Sequence, residues 1–133
     1  MKALDTNVLV RFLTNDDQVQ AQKVLSLFRS AQKNGERFYV CKLVQIELIW
    51  VLDSVYKYRR EEILSAFERM LALPVLLLES PEILEEFMVS SESSRVGLSD
   101  LLIGLTSKAG RCESTLTFDR KAAKEARLFK LVG

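Results

Sequence analysis

The 133-residue chain contains no histidine, and this absence narrows the chemistry that it can perform. Ser-His-Asp and Cys-His mechanisms are excluded, because both use an imidazole as the general base. Zinc is also disfavoured, since its sites draw several ligands from cysteine and histidine, and only Cys41 and Cys112 are present. These two lie far apart in sequence, and we interpret both as small buried hydrophobic residues. Any catalysis must therefore use carboxylates, hydroxyls, lysines or a bound cation.

Long hydrophobic runs are absent as well. No apolar run reaches the roughly 18 residues that a membrane span needs. Asp5 interrupts the first apolar segment and no small-residue cleavage site follows, so the N-terminus does not resemble a signal peptide. The composition, 48% hydrophobic and 28% charged, is typical of a globular protein. We expect a single domain over residues 1–133 that lies in the cytoplasm and has no membrane partner.

The chain also lacks a strong net charge, which is +1. The charges are nevertheless unevenly distributed, because residues 101–133 contain seven lysines or arginines against three acids. A basic region on a near-neutral protein suits a polyanionic partner. A solvated helix face gives the same count, so the pattern alone leaves both interpretations open.

Short apolar strands alternate with amphipathic helices along the chain, which predicts the order β-α-α-β-α-α-β-α-α-β-α-β. Such alternation favours an α/β fold with a parallel sheet covered by helices on both faces. Ser80 and Ser99 are predicted helix caps, and a polar break is predicted over residues 90–94. Strands are predicted before Asp5 and over 38–41, 75–78, 114–118 and 129–132. Helices are predicted over 8–13, 17–34, 43–56, 61–73, from 81 to the polar break, 100–109 and 120–127.

Four acids stand out by their positions. Asp5 and Asp119 directly follow predicted strands, and the carboxyl ends of parallel strands lie on one edge of a sheet. Asp100 begins a helix and can reach that edge from the loop side. Glu47 is the only charge in its apolar helix between Lys42 and Asp53, and a buried carboxylate needs a partner or a metal.

Each of these acids also has an ordinary structural interpretation. Asp5 can cap the helix that follows it, and Asp100 can stabilise a helix dipole. Glu47 can face solvent or form an internal salt bridge.

Several carboxylates close together repel one another, and a divalent cation removes that repulsion. Oxygen-only ligands select Mg²⁺ or Mn²⁺, which indicates metal-assisted hydrolysis of a phosphodiester. Thr6, Asn7 and Thr117 are candidates for positioning water or a carboxylate. Local turn and sheet hydrogen bonds are the alternative role of each.

The segments 4–10, 99–103 and 116–120, together with Glu47 in its apolar helix, resemble the four signature segments of PIN-domain ribonucleases. Their order and spacing match over essentially the whole chain. The Asp-Thr-Asn opening and the Thr-Phe-Asp segment are the most specific parts. Size and opening are most similar to the VapC toxins of toxin–antitoxin pairs.

The resemblance implies a three-layer α/β/α sandwich with a central parallel sheet in strand order 3-2-1-4-5. It implies a Mg²⁺- or Mn²⁺-dependent endoribonuclease that forms a homodimer and is inhibited by a cognate VapB-type antitoxin. Many relatives carry a further acid where this chain has Gly97, so one or two metal ions remain possible. The residues that the resemblance assigns to metal binding and catalysis are Asp5, Glu47, Asp100 and Asp119.

Two surfaces are expected to bind partners, one a second subunit and the other RNA. We expect the 43–56 helix, with Phe12 and Leu13, to supply part of a subunit interface. We expect RNA to contact basic residues at the rim of the site, which are Arg11, Lys108, Arg111, Arg120 and Lys121.

The sequence argues against two other functions and leaves two alternatives open. A phosphatase or phosphotransferase with an aspartate nucleophile usually has a second aspartate two residues later, where this chain has Asn7. A receiver domain would carry its phosphoacceptor at the end of the third strand, which here ends at Glu79. A PIN-like binding module that does not cut RNA, and an RNA-processing nuclease outside a toxin pair, remain alternatives.

Overall fold

The computed structural model describes residues 1–133, which form two compact units, residues 1–79 and 80–133. The order of elements confirms the alternation predicted from the sequence. The first unit contains β1 (Lys2–Ala3), α1 (Thr6–Thr14), α2 (Gln18–Asn34), β2 (Phe38–Val40), α3 (Lys42–Ser54), α4 (Arg60–Ala72) and β3 (Leu76–Leu78). The second contains α5 (Pro81–Ser93), α6 (Leu98–Ala109), β4 (Thr115–Thr117), α7 (Arg120–Ala123) and β5 (Phe129–Leu131).

All strand pairs are parallel, which confirms the predicted α/β class. In the first unit β2 lies between β1 and β3, with Phe38 opposite both Lys2 and Leu76. In the second unit β4 pairs with β5. The predicted order 3-2-1-4-5 contains both arrangements. None of the helices combines the length and the apolar character that crossing a membrane requires.

The core of the first unit is built from helix faces that pack on the short sheet. Leu9 of α1, Val40 of β2, Leu48 of α3 and Phe67 of α4 are fully buried. The buried residues of α4, which are Ile63, Ala66, Phe67 and Met70, recur at helical spacing, so the amphipathic pattern that predicts this helix also selects its core residues.

Helix α2 shows how local sequence fixes an element. The Asp17 carboxylate accepts a hydrogen bond from the Gln20 N–H at 3.0 Å and so caps the first turn. Gly35 ends the helix in the left-handed conformation, with φ of 68°. Both boundaries agree with the prediction.

In the second unit, α5 and α6 pack through fully buried side chains, among them Leu84, Phe87 and Leu101. Helix α6 also approaches β5 closely at Gly104. A Cβ atom at that position would lie 2.8 Å from the Phe129 ring, so only glycine permits this contact.

Two predicted helix boundaries in the second unit were wrong. Helix α6 begins at Leu98 with Gly97 as its N-cap, so Ser99 lies in the first turn and is not the cap. The predicted start of α5 is confirmed, because Ser80 is its N-cap and Pro81 is its first residue, but the Ser80 side chain makes no capping hydrogen bond and its φ is 51°. Helix α7 ends at Ala123, since the chain must turn to bury Leu128 at the start of β5.

The predicted polar break at residues 90–94 was also wrong, because α5 continues to Ser93. Ser90, Ser91 and Ser94 are buried. The Ser91 hydroxyl donates to the Met88 carbonyl at 2.7 Å, which satisfies a hydroxyl inside a helix.

The two cysteines are not the buried hydrophobic residues that were expected. Cys41 is half-buried at the start of α3, and Cys112 is exposed. Cys112 follows the turn that ends α6, and its N–H donates to the Ser107 carbonyl at 3.0 Å. A turn at the surface leaves the side chain no core to enter.

Candidate functional site

Asp5 lies at the carboxyl end of β1 and caps α1. Its Oδ1 accepts a hydrogen bond from the Val8 N–H at 3.2 Å, so the capping role is confirmed. The carboxylate is exposed, and its other oxygen has no hydrogen-bond partner in the protein. Capping and ligand binding therefore use different oxygens and are compatible.

Asp119 repeats this arrangement in the second unit, two residues beyond the end of β4. Its Oδ1 accepts hydrogen bonds from the N–H groups of Lys121, at 2.8 Å, and Ala122, at 3.2 Å. The Thr117 hydroxyl accepts the Asp119 N–H at 2.9 Å. Thr117 thus makes the local hydrogen bond that was its alternative role, and through it fixes the backbone that carries the aspartate.

Glu47 is exposed, so the prediction of a buried carboxylate was wrong. Helix α3 buries Gln45, Leu48, Ile49 and Leu52, and Glu47 lies on the opposite side. Leu43 and Trp50 precede and follow it by four and three residues, which places all three on one exposed helix face. The helix is apolar nearly all round, yet only one side of it is covered.

Asp100 is half-buried in the first turn of α6, three residues after the N-cap Gly97. A Cβ atom at Gly97 would lie 3.6 Å from Asp100 Oδ2. An acid at position 97 would therefore place a second carboxylate beside Asp100. Glycine leaves that space open.

The shared property of the four acids is that none of them forms an ion pair with a lysine or arginine of the chain. Asp5 and Glu47 belong to the first unit, and Asp100 and Asp119 belong to the second. Neither unit by itself contains a group of three or more side chains suited to hold a metal ion. That all four acids form one site stays a prediction.

Thr6 is the supporting residue with the most informative surroundings. It is 5% exposed, and its hydroxyl has no hydrogen-bond partner in the protein. A buried hydroxyl without a partner is costly unless a water or a ligand satisfies it. Asn7, the next residue, is exposed.

The polar contacts at the ends of β2 and β3 were not predicted from the sequence. Gln45 is fully buried, and its Nε2 donates to the carbonyls of Val40, at 3.2 Å, and Glu79, at 2.9 Å. The Glu79 Oε1 accepts the Lys42 N–H at 2.9 Å. Burial, with a smaller contribution from a hydrogen bond to Glu79, raises the pKa of the Tyr39 hydroxyl.

Glu79 follows a strand as Asp5 does, so sequence position alone gives both the same signal. Their contacts separate them. The Glu79 side chain joins two elements of the first unit, whereas Asp5 keeps one oxygen without a partner.

Arg11, predicted to contact RNA, is held by the protein itself. Its guanidinium lies 3.3 Å from Asp16 Oδ1 and donates to the Tyr56 hydroxyl at 3.3 Å, while Nε donates to Gln20. The hydrogen bond to Tyr56 is the main cause of the raised pKa of Arg11. The Tyr56 hydroxyl also donates to Asp16, which lowers the pKa of that carboxyl.

The other basic residues predicted to contact RNA differ in whether an acid of the protein already pairs with them. Lys108 lies 3.7 Å from Glu86. Arg111, Arg120 and Lys121 are exposed and form no ion pair.

Residues 2–128 match the family model described as the PIN domain, so the chain belongs to the PIN-domain family. Among characterised proteins it is similar to the VapC ribonuclease of Aquifex aeolicus (strain VF5). The two are 27% identical over 124 residues, which cover 93% of this chain and 91% of that protein.

Proposed function

We propose that the protein is a metal-dependent endoribonuclease that hydrolyses phosphodiester bonds of RNA. The observation that carries this proposal is the set of acids without cationic partners, two of which keep a free carboxylate oxygen beside a strand end. Membership of the PIN-domain family and the ribonuclease name of the similar protein support it.

The donor set fits a hard divalent cation, Mg²⁺ or Mn²⁺, because every candidate ligand is a carboxylate oxygen and Thr6 adds a buried, unpartnered hydroxyl. When bound, such a cation lowers the pKa of a water molecule and stabilises charge on a phosphoryl oxygen. The helix N–H groups bound to Asp5 and Asp119 hold these carboxylates in a fixed orientation. The residues that would hold the cation are Asp5, Glu47, Asp100 and Asp119.

The proposal includes a toxin role in the cytoplasm, with a VapB-type antitoxin that blocks the site. Its support is the name of the similar VapC protein. The gene order tests it at little cost. A short adjacent reading frame with a DNA-binding N-terminus supports a toxin pair, whereas an isolated gene favours an RNA-processing nuclease.

We also propose a homodimer whose interface includes α3. Leu43 is 81% exposed and Trp50 is 59% exposed, so the helix presents apolar side chains to solvent. Phe12 is a weaker candidate, because its ring packs on Phe28 with centroids 5.1 Å apart and the Arg69 guanidinium lies over the same ring, 5.1 Å from its centroid.

Sedimentation of Trp50→Glu tests this interface. We expect a folded monomer, because a carboxylate cannot be buried in an apolar interface without a partner. The matched control is Val19→Glu on α2, where the side chain is 69% exposed and outside the proposed interface. A Trp50→Glu protein that remains dimeric would show that the interface lies elsewhere.

The decisive experiment is cleavage of a total RNA pool by purified, antitoxin-free protein with Mg²⁺, Mn²⁺ or EDTA. We expect metal-dependent cutting that Asp5→Asn abolishes. Folded protein that cuts no RNA with either Mg²⁺ or Mn²⁺ would favour a PIN-like binding module for RNA or antitoxin. Cutting that survives both EDTA and Asp5→Asn would contradict the proposed site.

A further inference from the structure

The second unit contains a cleft of about 710 Å³ between the loop that follows α5 and helix α7. Arg95 and Val96 lie on the loop side, and Arg120, Lys121 and Lys124 lie on the α7 side. Its volume is within the usual range of small-ligand sites. RNA contacts were predicted from the sequence at Arg120 and Lys121, but not at Arg95 or Lys124.

The positive charge of this cleft is not compensated by the protein. The four basic side chains form no ion pair, and three of them are within five residues of one another. Glu125, the one acid in the lining, is 17% exposed and lies 2.9 Å from Arg127, so its charge is already paired. Like charges held close together repel, and an anion in the cleft relieves that repulsion.

Both walls of the cleft continue directly into candidate catalytic acids. Arg120 follows Asp119, the N-cap of α7. On the other wall, Val96 precedes Gly97, the N-cap of α6, whose first turn contains Asp100. Each wall of the cleft is therefore continuous along the chain with a segment that carries a candidate catalytic acid.

Phe118 adds an aromatic surface next to the same acid. It immediately precedes Asp119 and is 84% exposed, so its ring is free to stack on a nucleobase. A basic groove with an exposed aromatic side chain is the combination that binds single-stranded nucleic acid.

We propose that this cleft binds the phosphodiester backbone of a single RNA strand beside the bond that is cut. The inference rests on the proposed nuclease function and adds the residues that hold the substrate. Arg95, Arg120, Lys121 and Lys124 contact phosphates, and Phe118 stacks on a neighbouring base.

The test measures binding of a labelled, unstructured RNA oligonucleotide in EDTA, where metal-dependent cutting does not interfere. The variant Arg120→Gln/Lys124→Gln removes one arginine and one lysine from the cleft. The matched control, Arg29→Gln/Lys33→Gln, removes the same charges from exposed positions on α2, outside the cleft. Thermal unfolding checks that both variants are folded.

We expect the cleft variant to raise Kd several-fold and to reduce the slope of log K against log salt by about 1.4, or about 0.7 per phosphate contact of a single strand. The control should change the slope much less. Glu125→Gln should act in the opposite direction, because it removes an acid and frees Arg127, so RNA binds more tightly. With metal present, the cleft variant should raise KM and leave kcat almost unchanged.

Equal slopes of log K against log salt for the cleft variant and wild type would overturn the proposal. Equal losses of RNA affinity in the cleft and control variants would also overturn it, because they would show that only net charge matters. Unchanged RNA binding with weakened binding of a polyglutamate peptide would assign the cleft to an acidic protein segment and also overturn it. If wild-type protein cuts no RNA but the binding difference remains, the nuclease function fails and the cleft assignment stands.

Discussion

The ion-paired cations of the first unit contrast with the cleft cations of the second unit. In the first unit, Arg11 is held by Asp16, Tyr56 and Gln20. Arg59 likewise lies 3.2 Å from both Glu61 and Glu62. These cations stabilise turns and helix ends, and their charge is already compensated within the protein.

In the second unit, some cations are paired with acids and others are available to bind a ligand, and the available ones lie in the cleft. Lys108 and Arg127 have acidic partners, whereas the four cations of the cleft have none. The acids show the same contrast between engaged and available groups, and here it also runs within the first unit, where Asp5 keeps one oxygen without a partner. Glu79 joins β3 to α3, whereas Asp119 keeps one carboxylate oxygen free.

This comparison shows that residue type and position next to a strand do not separate structural from ligand-binding charges. The partners of each charged group do. A charge that already has a partner must lose it before it binds a ligand, whereas an unpaired charge needs only to lose solvent. The predictions that follow test this distinction.

The largest expected effect is on RNA cleavage, and it distinguishes Asp119 from Glu79, which both follow strands. Asp119→Asn should reduce RNA cleavage by about 10³-fold or more, the scale on which single catalytic groups act. Asparagine caps helices as well as aspartate does, so the variant should stay folded. The control is Glu79→Gln, whose amide oxygen still accepts the Lys42 N–H and which should cut RNA at nearly the wild-type rate. Equal losses in both variants would contradict the distinction.

The next effect concerns stability at the strand ends of the first unit. Gln45→Leu should lower the free energy of unfolding by about 1–3 kcal/mol, because the Glu79 carbonyl loses the Gln45 amide as its donor, while the Val40 carbonyl still accepts the Glu79 N–H at 2.8 Å. Denaturant unfolding measures this loss. Gln22→Leu, at an exposed position of α2, should be nearly neutral. A neutral Gln45→Leu would show that the amide does not hold these strand ends together.

Much of this architecture was predictable from sequence. The order of all strands and helices follows from local periodicity, and Asp17 and Gly35 fix α2 through short-range capping. Side-chain partners were not predictable in this way, because contacts such as that of Arg11 with Tyr56 join residues 45 positions apart. Glu47 was misjudged for a related reason, since an apolar helix does not show in its sequence which face the fold covers.

A smaller effect distinguishes two arginines, because replacing Arg11 should change stability and replacing Arg120 should change RNA binding. Arg11→Gln should lower the melting temperature by a few degrees and leave the salt dependence of RNA binding unchanged, because its partners are within the protein. Arg120→Gln should leave the melting temperature unchanged and reduce the salt slope by about 0.7. Thermal unfolding and RNA titration on both variants provide the measurement. A reduced salt slope in Arg11→Gln would restore its predicted role as an RNA contact.

The smallest effect is a pH dependence centred on Asp16. Hydrogen bonding from Tyr56 lowers the pKa of this carboxyl below its ordinary value of 3.8. The ionised form is therefore favoured in the folded protein, and its stabilising contribution is present above pH 3.8 and lost as the pH falls through the folded pKa. Tyr56→Phe should be less stable than wild type at neutral pH, and the difference should narrow as the pH falls below 3.8 and Asp16 becomes protonated. Asp16→Asn, which cannot titrate, is the control, and adding Tyr56→Phe to it should give a stability difference that does not change over this range. A gap between wild type and Tyr56→Phe that is as wide in acid as at neutral pH would mean that Tyr56 stabilises the first unit by packing and not through the charge of Asp16.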